Sequence, residues 1–199
     1  MAQINLKNRE IRCKIVYCGP ALGGKTTNIK WIYDQLPSAR RSELQIIETD
    51  DERTLFFDYF SVDLARVNGM QLRFLCYAVP GQAYYKATRK MVLQGVDGIV
   101  FVADSDAART NENIAALADL KALLIEHGYD YASIPLVVQF NKRDLPNIDS
   151  IEKLNELLND KDSPFYEAVA TEGRGVIETF RTVCNAVSRK ISQPSSVSV

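Results

Sequence analysis

The chain has 199 residues, of which 46% are hydrophobic and 25% charged, with a formal net charge of -1. This composition is typical of a folded domain, and it gives no electrostatic basis for binding nucleic acid or an anionic membrane surface. No apolar stretch approaches the roughly 20 residues that cross a bilayer, and neither end carries a secretion, myristoylation or prenylation signal. We therefore expect a cytoplasmic protein with no direct membrane anchor and no nucleic-acid partner.

Apolar runs alternate with amphipathic stretches along the chain. Runs rich in branched and aromatic residues predict strands at Ile11–Cys18, Thr54–Leu64, Leu72–Val79, Gly98–Asp104, Pro135–Phe140 and Phe165–Val169, with a further edge strand at Leu44–Ile47. Apolar residues spaced at the helical period predict helices at Lys25–Asp34, Asn111–His127, Ile151–Leu158 and Val176–Ile191.

This alternation predicts an α/β fold with a mostly parallel sheet of about six strands and helices on both faces. Asn68-Gly69 is a tight-turn signal, so Thr54–Leu64 and Leu72–Val79 are expected to form one antiparallel hairpin. We expect one domain over residues 1–192 and a flexible Ser-rich tail over 193–199. Ligands bind such sheets at the carboxyl ends of the strands, so the residues that follow each strand are the first candidates for a site.

The four cysteines, Cys13, Cys18, Cys76 and Cys184, are far apart along the chain. Their spacing matches no metal-binding pattern. We expect buried, reduced thiols, as is usual in a reducing compartment.

A glycine-rich segment lies between the first predicted strand and the first predicted helix. From Gly19 to Thr26 it fits the phosphate-loop pattern G-x-x-x-x-G-K-[ST], which is typical of P-loop NTPases. Its backbone N–H groups and the start of the helix favour an anion, with the Lys25 side chain reaching the β- and γ-phosphates and the Thr26 hydroxyl binding Mg²⁺. The predicted phosphate-binding residues are Gly19, Ala21, Leu22, Gly23, Gly24, Lys25, Thr26 and Thr27.

A second motif, Asn141-Lys142-Arg143-Asp144, follows a later buried strand and has the pattern N-K-x-D. A carboxylate only accepts hydrogen bonds, so Asp144 can accept both the ring N–H and the exocyclic amine of guanine. Adenine places an acceptor where one of these donors should be, so an ATP-using enzyme is the less favoured alternative. Lys142 can lay its aliphatic stem over the base, and Asn141 can hold neighbouring loops together. The predicted guanine-binding residues of this motif are Asn141, Lys142 and Asp144.

Together these motifs resemble the Ras superfamily of small GTPases, and the resemblance runs from Asn5 to Ile191. Three further segments resemble the MglA-type gliding-motility and polarity GTPases of bacteria, namely residues 52–58 (Glu-Arg-Thr-Leu-Phe-Phe-Asp), 79–82 (Val-Pro-Gly-Gln) and 167–173 (Glu-Ala-Val-Ala-Thr-Glu-Gly). The resemblance implies a Ras-like fold and a switch that hydrolyses GTP to GDP and phosphate with Mg²⁺. It also implies control of cell polarity and of gliding or twitching motility, a Roadblock-domain activator of the MglB type, further effectors, and recruitment to a cell pole through partners.

The resemblance implies roles for individual residues outside the two motifs. Thr54 would complete the magnesium shell and meet the γ-phosphate, and the Gly81 N–H would contact the same phosphate. Gln82 would orient the attacking water, and Arg53 would act as an arginine finger carried in the chain itself. The backbone of Ala170-Thr171 would contact the guanine oxygen.

One position departs from the family's pattern. Small GTPases carry D-x-x-G before the glutamine, where the aspartate holds a magnesium-bound water, but this chain has Ala78 there. Asp58 is our first candidate for a substitute acid and Asp50 the second. The departure indicates slow turnover without a partner, or alternatively a GTP-binding scaffold with negligible hydrolysis, against which the presence of Gln82 and Arg53 argues.

Overall fold

The computed structural model describes residues 2–47, 57–67, 69–82 and 85–193. Within these ranges one sheet contains eight strands: β1 (Gln3–Asn5), β2 (Glu10–Cys18), β3 (Gln45–Ile47), β4 (Phe57–Val67), β5 (Met70–Ala78), β6 (Gly98–Asp104), β7 (Leu136–Asn141) and β8 (Phe165–Glu167). The helices are α1 (Lys25–Gln35), α2 (Lys86–Leu93), α3 (Thr110–Glu126), α4 (Ile151–Leu158) and α5 (Val176–Ser192).

The strand order is β3-β4-β5-β2-β6-β7-β8, with β1 paired to β2 beside this path. Strands β5, β2, β6, β7 and β8 run parallel, whereas β3, β4 and β5 pair antiparallel in sequence. The predicted α/β class, the mostly parallel sheet, the hairpin and the edge strand are therefore confirmed. The sheet has eight strands rather than about six. The predicted edge strand β3 joins the six, and the short polar strand β1, which was not predicted, pairs with β2.

Helix α2 is absent from the predicted elements. Its buried residues are Thr88, Val92 and Leu93, and its remaining positions are polar or partly exposed. With so few apolar residues the segment shows no helical period in the sequence.

Helices cover both faces of the sheet, as predicted. On one face Ile29 of α1 and Val183 of α5 belong to a cluster with Phe74 of β5. On the other face Leu120 of α3 and Leu154 of α4 belong to a cluster that includes core strand residues such as Phe101. The sheet is thus a rigid platform whose central strands are buried on both sides.

The four cysteines are buried and free, which confirms the prediction for them. None of the helices in the described ranges combines the length and the apolar character needed to cross a membrane. Residues 194–199 of the predicted tail lie outside the described part of the chain.

Candidate nucleotide-binding site

The loop from Gly19 to Gly24 connects the end of β2 to the start of α1. Gly19 (φ +138°) and Gly24 (φ +97°) have backbone conformations that L side chains rarely adopt. A Cβ at Gly19 would lie 2.1 Å from the carbonyl oxygen of Val102 in β6. Since only glycine fits there, the loop can rest directly on the end of the sheet.

Lys25 folds back under this loop. Its ammonium donates to the carbonyl oxygens of Gly19 (3.1 Å) and Pro20 (2.6 Å), and the residue is 7% exposed. Burial lowers the pKa of Lys25 to about 8. A bound anion beside the ammonium would stabilise its charged form, so the loop presents a buried cation suited to a phosphate.

A cavity of about 330 Å³ opens between the phosphate loop and the segment that follows β5. Its lining residues are Ala21, Leu22, Gly24, Lys25, Thr26, Thr27, Ala78, Val79, Pro80, Gly81 and Gln82. A Cβ at Gly81 would lie 2.2 Å from the backbone nitrogen of Ala21. The fold therefore brings the predicted residues Gly81 and Gln82 against the phosphate loop, and the closeness depends on glycine.

Asn141 connects three loops at the carboxyl end of the sheet. It ends β7, is 2% exposed, and donates through Nδ2 to the carbonyl oxygen of Gly23 (2.9 Å). Its Oδ1 accepts from the backbone N–H of Ala170 (2.9 Å). One buried side chain thus ties the phosphate loop to the loop that follows β8.

The other residues of the N-K-x-D motif face the same rim. The ammonium of Lys142 lies 2.7 Å from the carboxylate of Asp104, which is 1% exposed at the end of β6. Asp144 is exposed, and in the described part of the chain no group forms a hydrogen bond or ion pair with its carboxylate. Ala170 is buried and Thr171 exposed beside it. The Asp144 carboxylate is therefore available to a ligand.

The sequence pattern of the ADP-ribosylation factor family matches residues 1–187. The mutual gliding-motility protein MglA of Myxococcus xanthus (strain DK1622) is 45% identical over 193 residues, which cover 97% of this chain and 99% of that protein. The chain belongs to the ADP-ribosylation factor family of small GTPases. It binds guanine nucleotides and hydrolyses GTP as a molecular switch, which confirms the predicted activity. The family match supports this activity over the alternatives of an ATP-using enzyme and of a GTP-binding scaffold with negligible hydrolysis.

Two residues that were given no role from the sequence also support the site of this GTPase. Arg109 donates from Nη2 to the carbonyl oxygen of Ala21 (3.0 Å), while its Nη1 donates to Glu112 (2.9 Å). Gly173 lies against α1, where a Cβ would approach the indole of Trp31 to 1.9 Å. No sequence pattern marks Arg109, because an arginine in a turn is common. Gly173 lies in the segment 167–173 that carries the resemblance, but nothing in that segment predicts its packing against Trp31.

Asp58 of the GTPase lies in β4 directly opposite Ala78 of β5, so the two side chains point to the same face of the sheet. Asp58 is 4% exposed, and within the described ranges its carboxylate has no hydrogen-bond or ion-pair partner. Burial lowers the pKa of Lys25, and the charge of Asp58 opposes that effect. An unpaired buried carboxylate is costly, so this position is suited to a cation or to a cation-bound water.

Arg53, Thr54 and Asp50 lie outside the residues that the structure describes. In the described part of the chain, the phosphate loop, Gly81-Gln82 and the base loops lie together at the carboxyl end of the sheet.

Proposed function

We propose that this GTPase holds the phosphates of GTP and GDP in the cavity between the phosphate loop and residues 78–82. The base would lie on the loops that follow β7 and β8. The observation that carries the proposal is the pair of hydrogen bonds by which Asn141 joins Gly23 to Ala170. One residue then fixes the distance between the phosphate end and the base end of the ligand. The backbone of Ala170-Thr171 contacts the guanine oxygen in this arrangement.

Guanine selection is assigned to Asp144. Its exposed carboxylate accepts from the two adjacent donors of guanine, while Lys142, held by Asp104, lies over the base. Displacement of fluorescent GDP by GTP and by ATP measures the preference. We expect Asp144→Ala to weaken GDP binding strongly, whereas Asp162→Ala, at an exposed aspartate before β8, should bind as the wild type does.

The residues present fit Mg²⁺, which prefers oxygen ligands and keeps several waters. Thr26 lines the phosphate cavity and would supply a hydroxyl ligand, with Thr54 as a second. Asp58 would accept a hydrogen bond from a magnesium-bound water in place of the aspartate that Ala78 replaces. When bound, the ion neutralises charge on the phosphates.

The release rate of fluorescent GDP as a function of Mg²⁺ concentration tests the role of Asp58 without measuring hydrolysis. Asp58→Asn should require at least about tenfold more Mg²⁺ to slow release, since a charged acceptor is lost. Asp63→Asn is the matched control, because Asp63 lies on the same strand but pairs with Arg73 (2.7 Å). If both variants follow the wild-type curve, Asp58 is not the substitute acid.

For hydrolysis we assign Gln82 to orient the attacking water and Arg53 to stabilise the charge that develops on the transferred phosphoryl group. Gly81 would donate its N–H to the γ-phosphate. The side chain of Gln82 is exposed at the edge of the phosphate cavity, where a water can reach it. The exposure is consistent with slow turnover until a partner covers the site.

We further propose that the switch controls cell polarity and gliding or twitching motility in a bacterium, in the cytoplasm and through partners at a cell pole. The support is the identity to a protein named for mutual gliding motility. A Roadblock-domain activator of the MglB type is the expected partner, together with motility effectors. Adding such an activator to the GTP-loaded protein should accelerate phosphate release. An unchanged rate, with binding shown by sedimentation, would contradict this assignment.

A further inference from the structure

The segment Pro80-Gly81-Gln82 separates two cavities. On one side lies the phosphate cavity of about 330 Å³. On the other side lies a cavity of about 560 Å³ between the phosphate loop, α2 and α3, and Gly81 lines both. Pro80 is buried and the backbone of Gly81 packs against the phosphate loop, but Gln82 is exposed. The position of Gln82 therefore depends on the polar contacts that hold the backbone of the segment.

Arg89 of α2 makes such contacts. Its Nη1 donates to the carbonyl oxygen of Pro80 (3.2 Å) and to that of Gln82 (2.5 Å). These two carbonyls flank Gly81, whose backbone touches the phosphate loop. One guanidinium therefore holds both ends of the segment that carries Gln82.

The guanidinium is itself fixed from the opposite side. Its Nε donates to the carboxylate of Asp119 in α3 at 2.9 Å, and the Arg89 side chain is 12% exposed. A planar guanidinium can serve the carboxylate and the two carbonyls at once, because its N–H groups point in fixed, separate directions. The single ammonium of a lysine cannot reproduce this arrangement.

We propose that Arg89, anchored by Asp119, is a positioning residue that sets the place of Gln82 for hydrolysis. The proposal rests on the role assigned above to Gln82. Arg89 acts through the backbone of residues 80–82, so its loss lets the segment move into either cavity and removes the alignment of the Gln82 side chain with the attacking water.

A purely structural role, in which Arg89 only joins α2 to α3, makes a different prediction. The same two helices are also joined by Lys90, whose ammonium lies 2.5 Å from the carboxylate of Glu126. Within the described ranges, the side chain of Lys90 forms no hydrogen bond with residues 80–82. Lys90→Met is therefore a matched control that removes an α2–α3 contact and leaves the segment held.

The test compares Arg89→Lys, Asp119→Asn and Lys90→Met with the wild type. We measure GDP affinity, activator-stimulated single-turnover hydrolysis, and amide hydrogen exchange at Gly81 and Gln82. Arg89→Lys should lower the hydrolysis rate by about 10- to 100-fold, because small displacements of catalytic groups have effects of this size. GDP affinity should stay within about twofold, since binding does not require the Gln82 side chain. Amide exchange at residues 81–82 should become faster.

Asp119→Asn keeps an oxygen acceptor but loses the charge, so it should show a smaller effect of the same kind. Lys90→Met should match the wild type in rate and in exchange. The proposal is overturned if Arg89→Lys keeps the wild-type rate, or if Lys90→Met shows the same loss. Gln82→Ala separates the two proposals. If Gln82→Ala hydrolyses GTP at the wild-type rate, the role assigned to Gln82 is wrong. If Gln82→Ala is slow but Arg89→Lys has the wild-type rate, the positioning role of Arg89 is wrong.

Discussion

Asn141→Ala tests most sharply how the two halves of the nucleotide site depend on each other. The substitution removes one amide and leaves two partners unpaired, the carbonyl oxygen of Gly23 and the N–H of Ala170. The phosphate loop keeps all its residues, and Lys142 and Asp144 of the base-binding motif keep their side chains. Apart from any direct contact of Asn141 with the base, a change in affinity therefore reports the distance and orientation between the loops.

The magnitude follows from the burial of the two bonds. Each unpaired buried polar group costs about 1–3 kcal/mol, so the pair amounts to about 2–6 kcal/mol. Part of this cost lowers the free energy of unfolding. Asn141 is 2% exposed in the wild type, so water reaches the two groups only partly once its side chain is removed. The rest of the cost weakens nucleotide binding, because the complex needs both loops in place. We expect GDP affinity to fall about 10- to 100-fold, or about 1.4–2.8 kcal/mol.

Asn159→Ala is the matched control. Asn159 is 6% exposed and also joins two backbone groups, donating to the carbonyl oxygen of Ser163 (2.8 Å) and accepting from its N–H (2.9 Å). It lies beyond α4, away from the nucleotide loops. Titration of fluorescent GDP, with urea unfolding of the same samples, should show a loss of stability in both variants and a loss of affinity only in Asn141→Ala. Equal GDP affinity in the two variants would refute the reasoning.

Three further outcomes follow from the structure. Gly173→Ala should destabilise the protein by about 1–3 kcal/mol in urea unfolding, because its Cβ would meet Trp31 at 1.9 Å, whereas Gly128→Ala, with a similar positive φ but open space, should lose about 1 kcal/mol or less. In the nucleotide-free protein burial lowers the Lys25 pKa from its ordinary 10.5 to about 8, so the unfolded chain binds more protons in that window and stability should rise with pH through it. Lys25→Met should lack this rise when its unfolding is compared with the wild type from pH 7 to 10. Burial raises the pKa of all four cysteine thiols, so a thiol reagent at pH 8 should label none in the native protein and four after denaturation; rapid native labelling would contradict their burial.

The parts of the site that could be predicted from the sequence are those where a short motif follows a strand. Predicting the phosphate loop after β2 and Asn141 after β7 required only the local sequence pattern and the rule that the carboxyl ends of parallel strands lie at one edge of the sheet. The sequence could nominate Asp58 as an acid, but it could not fix the position of Asp58 in the hairpin. Counting back from the Val67↔Met70 pair beside the turn places Asp58 opposite Val79, on the wrong face of the hairpin.

A bulge between Asp63 and Ala65 shifts the register by one residue and brings Asp58 opposite Ala78. No residue between Asp63 and Ala65 indicates a bulge from the sequence alone. Arg89 and Arg109 were likewise beyond prediction, because their partners are backbone carbonyls distant in sequence. Side chains that bind backbone groups leave no complementary pattern in the sequence, and only the packing of α2 and α3 against the loops reveals them.

The most direct test of the hydrolytic mechanism is single-turnover hydrolysis of bound GTP by the wild type and by Gln82→Ala, each with a Roadblock-domain activator. If Gln82 orients the attacking water at the edge of the phosphate cavity, the wild type releases phosphate under stimulation. Gln82→Ala, with normal GDP affinity, should then be slower by at least about 100-fold, the lower end of the range for one positioned catalytic group. Equal stimulated rates in the two proteins would contradict the assignment of Gln82 as the residue that makes this GTPase hydrolyse its nucleotide.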